Sequence, residues 1–315
     1  MKVSVLIPAY NCEATIRASL DSVLSQTMMP EEILVMDDGS TDNTASLLDF
    51  YRPHITVFRQ ANGGPSSARN ALVAKARGEL IAFLDSDDIL HPEYLERQTH
   101  ICTKYPGAVA VFAGHVNFSG EGDYQWDSTT MGSDAEIDVM SGLTFFQRFN
   151  HHPGPFTSYS FCCVPRKVLT EIGPEPFRTD GAEDFYCNAL LSLMGDVVYA
   201  PMPLVAYRIR EGSHSSNRLA GLAARVHAFE LLKGRFQKSP DASVREAFAT
   251  ALASHRRSSA KYLIGAGRIR EGRKQLWQSC RTTLRPKSVA KSLGLLGSTY
   301  LPDYFQPGWP TSYQR

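Results

Sequence analysis

Residues 80–88 read Leu80-Ile81-Ala82-Phe83-Leu84-Asp85-Ser86-Asp87-Asp88, five apolar side chains followed by a cluster holding three carboxylates. A short apolar run closed by turn residues is the pattern of a strand buried on both faces. The same arrangement recurs upstream. Val3–Ile7 is β-branched, and Ala14, Ile16, Leu20, Val23 and Leu24 follow near helical spacing. Ile33–Met36 is a second apolar run, ended by Asp37-Asp38-Gly39-Ser40. Thr41 or Asp42 then caps a helix whose apolar face is Ala45, Leu47 and Leu48. Ile55–Phe58 is a third strand, and Pro65 to Ala76 is helical. Strands alternating with helices predict right-handed βαβ units and a mostly parallel α/β sheet. Such sheets bind ligands outside the carboxyl ends of their strands, where both acidic clusters fall.

Further along, the alternation loosens. Val109–Val116 reads as a buried strand, Ser119 to Asp138 as a long loop and Phe145–Phe149 as a short helix. After His151-His152-Pro153-Gly154-Pro155 comes the apolar stretch Tyr159–Val164. Glu183 to Met194 has helical period, while Val197–Ala200 and Leu204–Ile209 read as two strands. Beyond Ser213 only helices are predicted: Leu219–Gln237, Ala242–Ile264 and Gly272–Leu284, with breaks at Ser239-Pro240, Gly265–Gly267 and Pro286.

The chain has 315 residues, 43% hydrophobic and 21% charged, which excludes a disordered or collagen-like polypeptide. Its net charge of +1 conceals a division. Residues 1–219 carry 16 Lys/Arg against 27 Asp/Glu, and residues 220–315 carry 17 against 5, so the two regions should meet different partners. No apolar run reaches the length of a spanning helix, and the N-terminal run is too short for a signal segment. The six cysteines show no CxxC or zinc spacing and are expected as buried thiols. These features together predict a cytoplasmic protein.

Either acidic cluster alone reads as solvated turn acids or helix caps. Converging on one sheet edge, they point to a site. Close carboxylates repel, and a cation relieves them. A hard divalent ion held by one or two carboxylates and completed by substrate phosphates is the Mg2+ or Mn2+ pattern.

Four stretches in order then carry a family resemblance: Val3-Ser4-Val5-Leu6-Ile7-Pro8-Ala9-Tyr10-Asn11, Asp37-Asp38-Gly39-Ser40-Thr41-Asp42, Asn62-Gly63-Gly64-Pro65-Ser66-Ser67-Ala68-Arg69-Asn70 and Gly78-Glu79 through Phe83-Leu84-Asp85-Ser86-Asp87-Asp88. They resemble the motifs of family 2 glycosyltransferases. Gly181-Ala182-Glu183-Asp184 resembles the family's acidic acceptor-side motif, and Tyr207-Arg208, His214 and Ser216 its closing segment. The resemblance covers residues 1–217 and implies a Rossmann-like sheet of the A-type glycosyltransferase fold, with a nucleotide-sugar half at 1–90 and an acceptor half at 91–217. Residues 218–315 form a basic helical extension outside it.

The resemblance also implies inverting transfer from a nucleotide sugar, UDP-linked by expectation, to a hydroxyl of a glycan or lipid-linked glycan. By the family's pattern, Pro8 and Tyr10 sit against the base, Asp38 accepts its ring N–H, and Arg69 buttresses the acidic site. Asp87 is the direct metal ligand, Asp85 stands nearer the ribose or sugar and also counts toward the metal, and His214 is a further metal or diphosphate contact. Asp184 matches the general base, with Glu183 beside it. Phe185 stands where the family often has Trp.

The chemistry is coherent in its own terms. The leaving diphosphate gains charge that a cation stabilises, and the acceptor hydroxyl loses its proton to a carboxylate across the sugar. Asp184, remote in sequence from Asp87 and opening a predicted helix, meets that need; a helix-capping acid is its plain alternative. His151 and His152 stand in a loop as lesser candidates. A phosphoacceptor receiver also follows a strand with an acidic pair, but it is shorter and needs no acidic helix start near residue 184. A binding scaffold without catalysis is opposed by the intact acids. For the basic extension, no nucleic-acid motif accompanies the charge. The alternatives are peripheral contact with the inner face of a membrane, with Leu293, Leu295, Leu296, Tyr300, Tyr304, Phe305 and Trp309 as shallow anchors, or a helical cap on the catalytic region.

Overall fold

The computed structural model describes residues 1–120, 124–126, 136–179, 181–209, 218–283 and 285–300. The chain divides into two compact units, Met1–Ser213 and His214–Arg315.

The first unit is built on one mixed sheet. Strands β1 (Val3–Ala9), β2 (Glu32–Asp37), β3 (Thr56–Arg59) and β4 (Leu80–Phe83) run parallel in the order β3-β2-β1-β4. β1 and β4 are buried at almost every residue, so neither sheet face meets water there, in keeping with their unbroken apolar sequence. The chain winds outward from β1 to β3 and then returns to the other side of β1. The carboxyl ends of β1 and β4 therefore border the crevice where the winding reverses. Helices α1 (Ile16–Leu24), α2 (Thr44–Tyr51) and α3 (Gly64–Lys75) are the crossovers. Pro65 sits in the first turn of α3, where its missing N–H costs nothing.

Beyond β4 the sheet becomes mixed. The two-residue strand β5 (Ile89–Leu90) is followed by α4 (Tyr94–Lys104) and β6 (Ala110–Phe118). The short strand β7 (Asp138–Met140) ends the stretch read as a loop, and α5 (Gly142–His151) follows. β8 (Cys162–Pro165) runs antiparallel to β4, then come α6 (Arg166–Ile172), α7 (Glu183–Leu191) and β9 (Val197–Arg208). Because β8 opposes β4, the chain entering β8 lies beside the carboxyl end of β4.

Two sequence expectations change here. The stretch read as two strands at 197–200 and 204–209 is the single strand β9, parallel to β6. Pro201 and Pro203 suggested a break; instead the register slips on either side of Gly114 and the extra residues bulge. The helix expected over Glu183 to Met194 ends at Leu191. All six cysteines are thiols, five of them buried.

The second unit is helical: α8 (Arg218–Gln237), α9 (Ala242–Gly265), α10 (Ile269–Cys280) and α11 (Pro286–Ser298). Phe229, Phe236 and Phe248 pack together between α8 and α9. Leu276, Leu296 and Ala260 form a second cluster, with Ile264 and Leu295 against it. The helix expected over Gly272–Leu284 starts earlier and ends at Cys280. Pro286, read as a break, opens α11 at the position where proline suits a helix. That helix corrects the list of shallow anchors. Leu296 is buried and Leu295 is turned into the cluster, because Ser288, Ser292 and Leu296 share the inner face; Leu293 and Tyr300 remain exposed. Tyr304, Phe305 and Trp309 lie outside the described residues. Among the described residues, no helix is long and apolar enough to cross a membrane.

A Cβ at Gly114 would stand 2.7 Å from the Pro201 carbonyl oxygen and 2.8 Å from that of Met202, both backbone atoms with little room to yield. Gly114→Ala should lower unfolding stability by about 1–3 kcal/mol, read as a reduced urea midpoint with an unchanged slope.

Candidate active site

Three carboxyl-terminal strand ends, helix α3 and the start of α7 supply the predicted residues that the structure describes. Pro8 lies half-buried at the end of β1, and Tyr10 just beyond it is 48% exposed. At the end of β2, Asp37 Oδ1 accepts the Ser40 N–H at 2.8 Å, and its other oxygen stands 3.2 Å from Arg59. Asp38 is only 3% exposed, and three donors converge on it. Gln60 Nε2 at 2.7 Å and the Gly63 N–H at 2.9 Å reach Oδ1, and the Gly64 N–H reaches Oδ2 at 2.9 Å. Asp38 thus caps α3 from a neighbouring strand. Gly39, at φ 76°, permits this approach, since a Cβ there would lie 2.9 Å from the Asn62 nitrogen.

At the end of β4 the Asp85-Ser86-Asp87-Asp88 turn is held on every side. The Asp85 N–H donates to Ser160 Oγ at 2.9 Å, and Ser158 Oγ donates to Asp85 Oδ2 at 3.1 Å. Thr15, at the start of α1, donates to the Ser86 carbonyl at 2.8 Å. Arg208, at the end of β9, donates through Nε to the Asp87 carbonyl at 2.8 Å and through its N–H to Asp88 Oδ1 at 3.0 Å. Burial, then the charges of Asp87 and Asp85, push the Asp88 carboxyl well above the usual carboxylate range.

Arg69 joins this turn to the other acidic group. It projects from α3, is 4% exposed, and donates through Nη2 to Asp85 Oδ1 at 2.6 Å. Its Nη1 donates to Glu183 Oε1 at 3.2 Å and stands 4.0 Å from Asp184 Oδ1. Burial disfavours the guanidinium charge, but Asp85, Asp184 and Glu183 outweigh it and raise its pKa above the ordinary arginine value. Glu183 and Asp184 form the first turn of α7, where the helix dipole favours them, and Glu183 also accepts the Gly181 N–H at 2.7 Å. Phe185 is buried against Phe149 at 5.4 Å.

Asp85, Asp184, Glu183 and Arg69 therefore meet at one place, and Asp87 is two residues from Asp85 on the same turn. Pro8, Tyr10 and Asp38 stand at the ends of the neighbouring strands. His214 lies outside the described residues. His151 and His152 are exposed at the end of α5. Among the described residues no three His, Cys, Asp or Glu side chains stand in metal-holding geometry. Mg2+ and Mn2+ do not need such a set, since they keep waters and borrow substrate phosphates. Asp85 on this turn is engaged by Arg69 and Ser158, and Asp87 beside it is half-buried.

Three contributors escaped sequence reasoning. Ser158 and Ser160 had no signal, because their role comes from β8 opposing β4. Arg208 was visible only as part of a closing motif, without its bonds to the Asp87-Asp88 backbone.

Comparison with known proteins places the fold and the family. The glycosyltransferase GlyA of Streptococcus pneumoniae is 29% identical over 221 residues, covering 68% of this chain and 31% of GlyA. Chondroitin synthase of Pasteurella multocida is 37% identical over 132 residues, 39% of this chain and 14% of the synthase. The chain spans less than a third of the length of either relative. The structure of S. aureus TarS 1-349 in complex with UDP-GlcNAc superposes with a TM-score of 0.72 at 21% identity, covering 95% of this chain and 90% of that one, which shows a shared fold. Residues 4–173, from β1 through α6, match the family profile described as glycosyl transferase family 2, and the chain belongs to that family of enzymes.

Proposed function

We propose that residues 1–217 form an inverting, metal-dependent catalytic domain that moves a sugar from a UDP-linked donor to a hydroxyl of a glycan or lipid-linked glycan. The observation that carries this reading is the Arg69 junction, which sets the β4 turn and the start of α7 on either side of one guanidinium. A donor lying along the ends of β1 and β4 has its base near Pro8 and Tyr10 and its diphosphate near Asp87. A relative named chondroitin synthase and a fold neighbour solved with UDP-GlcNAc favour a UDP-linked donor and a glycan acceptor.

Asp87 would hold Mg2+ or Mn2+ together with the donor diphosphate, and the ion would supply charge neutralisation for the leaving group. Asp184 accepts the acceptor hydroxyl proton as the oxygen attacks the anomeric carbon from the face opposite the diphosphate. The C–O bond to the acceptor forms, the bond to the diphosphate breaks, and the anomeric configuration inverts. Arg69 holds Glu183 and Asp184 at the start of α7 beside the β4 turn, where the acceptor hydroxyl would lose its proton. Asp38 takes three N–H donors, shapes the loop under the base, and keeps lone-pair capacity to accept the ring N–H.

A specific observation also favours peripheral contact with an anionic lipid surface through the second unit. Arg270, Lys274, Trp277 and Arg281 are all exposed at i, i+4, i+7 and i+11, one stripe of α10 opposite the buried Gly272, Leu276 and Ser279. Trp277 is 55% exposed among these cations. The unit's described carboxylates are already engaged: Glu230 with Arg256, Glu246 with Arg285, Glu271 with Arg268, and Asp241 as the cap of α9. Cations flanking an exposed indole suit an anionic headgroup layer.

Asp87→Asn should abolish Mn2+-dependent binding of UDP-sugar in calorimetry. Asp184→Asn should keep donor binding and lower transfer by about 10²–10⁴-fold. Normal transfer by either variant rejects the role given to that residue. The whole chain should sediment with phosphatidylglycerol vesicles at low salt, release at high salt, and bind more weakly as Trp277→Ala. Failure to bind the vesicles removes the membrane reading and leaves the transferase reading untouched.

A further inference from the structure

Asn70 stands next to Arg69 on α3, and neither the carboxylates nor the donor needs it. Its carboxamide is nevertheless spent on one distant backbone unit. Asn70 Nδ2 donates to the Phe177 carbonyl at 2.8 Å, and the Phe177 N–H donates to Asn70 Oδ1 at 3.0 Å. Both polar groups of Phe177 are thereby matched by a single side chain 107 residues away. The ring of Phe177 is fully buried, edge-on to Phe83 at 5.3 Å and to Tyr159 at 4.8 Å. Backbone and side chain of this residue are fixed by different partners, so Phe177 is the anchored point of the segment between α6 and α7.

Six residues lie between Phe177 and Asp184, and bonds among the described ones brace the approach to α7. The Ala182 N–H donates to the Thr179 carbonyl at 2.8 Å, and Gly181 is tied to Glu183. We propose that Asn70 is a positioning residue for sugar transfer, setting where the α7 start, and with it Asp184, stands relative to the β4 turn. The inference rests on the reading of Asp184 as the base.

Arg69 and Asn70 divide this work by the range of their forces. The attraction between Arg69 and Asp184 at 4.0 Å changes little if the loop shifts by a fraction of an ångström. A paired amide hydrogen bond tolerates no such shift without weakening. Charge holds the two acidic groups together, and the Asn70 clamp sets their spacing. A purely stabilising role is the alternative, and it would alter melting without altering turnover in the folded enzyme.

Asn70→Asp is nearly isosteric. It keeps an acceptor for the Phe177 N–H, loses the donor, and places a carboxylate against the Phe177 carbonyl; Asn70→Ala removes both bonds. At a temperature well below each variant's melting transition, both should lower kcat for transfer by about 10–100-fold, the loss expected of a misplaced catalytic group. Donor KM and donor binding by calorimetry should stay within about 3-fold of the unaltered protein, since the donor contacts are intact. In the Asp184→Asn background, adding Asn70→Asp should cost no more than about 2-fold in the residual rate, because the group being positioned is gone. Wild-type turnover by the folded Asn70 variants overturns the inference, as does donor binding that falls in step with kcat or a fully additive loss in the double variant. Asp184→Asn at wild-type rate overturns the base assignment itself, whatever the Asn70 variants do, and this inference with it.

Discussion

A guanidinium withdrawn from water among three carboxylates is the constraint on which the rest of the catalytic unit depends. Removing a charge from solvent is costly unless good geometry and opposite charge compensate. Arg69 obtains both, from Asp85 on the β4 turn and from Glu183 and Asp184 at the start of α7. Glu183 stands 114 residues from Arg69 along the chain. Their meeting requires β8 to run antiparallel beside β4, α6 to turn back, and the segment through Phe177 to be pinned. The sheet is the means by which one positive charge is surrounded.

Acidic residues that look alike in sequence serve different ends around this centre. Asp37 and Asp38 take local N–H donors and fix the turn after β2. Asp88 is buried, and burial with the charges of Asp87 and Asp85 raises its pKa. Asp85 is held by Arg69 and Ser158. Asp87 and Asp184, to which the proposed chemistry is assigned, lie at the border of the buried region. Burial and hydrogen bonding sort the carboxylates, and neither is written in the acidic pattern itself.

This explains what could be read from the chain beforehand. The parallel half was legible because its strands are buried on both faces and written as unbroken apolar runs, with Asp85 and Asp38 marking their ends. Family motifs identified Arg69 and Asp184, and the cluster they join was open to inference. The antiparallel half was harder. β5 and β7 are two and three residues long, too short to show a period, and prolines hid the continuity of β9. Ser158, Ser160 and the Asn70 clamp were invisible because they depend on pairing between distant segments. In the second unit, Leu295 and Leu296 looked like surface anchors because their helix was taken for a break at Pro286.

The capping of α3 by Asp38 bears on how the fold handles a nucleotide's phosphates. In many Rossmann-like sheets a helix N-terminus beside the switch point offers bare N–H groups and a positive dipole to a pyrophosphate. Here the N–H groups of Gly63 and Gly64 already face a carboxylate belonging to the protein. The end of α3 is an anion site with its anion built in. On the proposed reading, a diphosphate in the crevice would therefore be met not by this helix but on the β4 side, through the cation that Asp87 would hold.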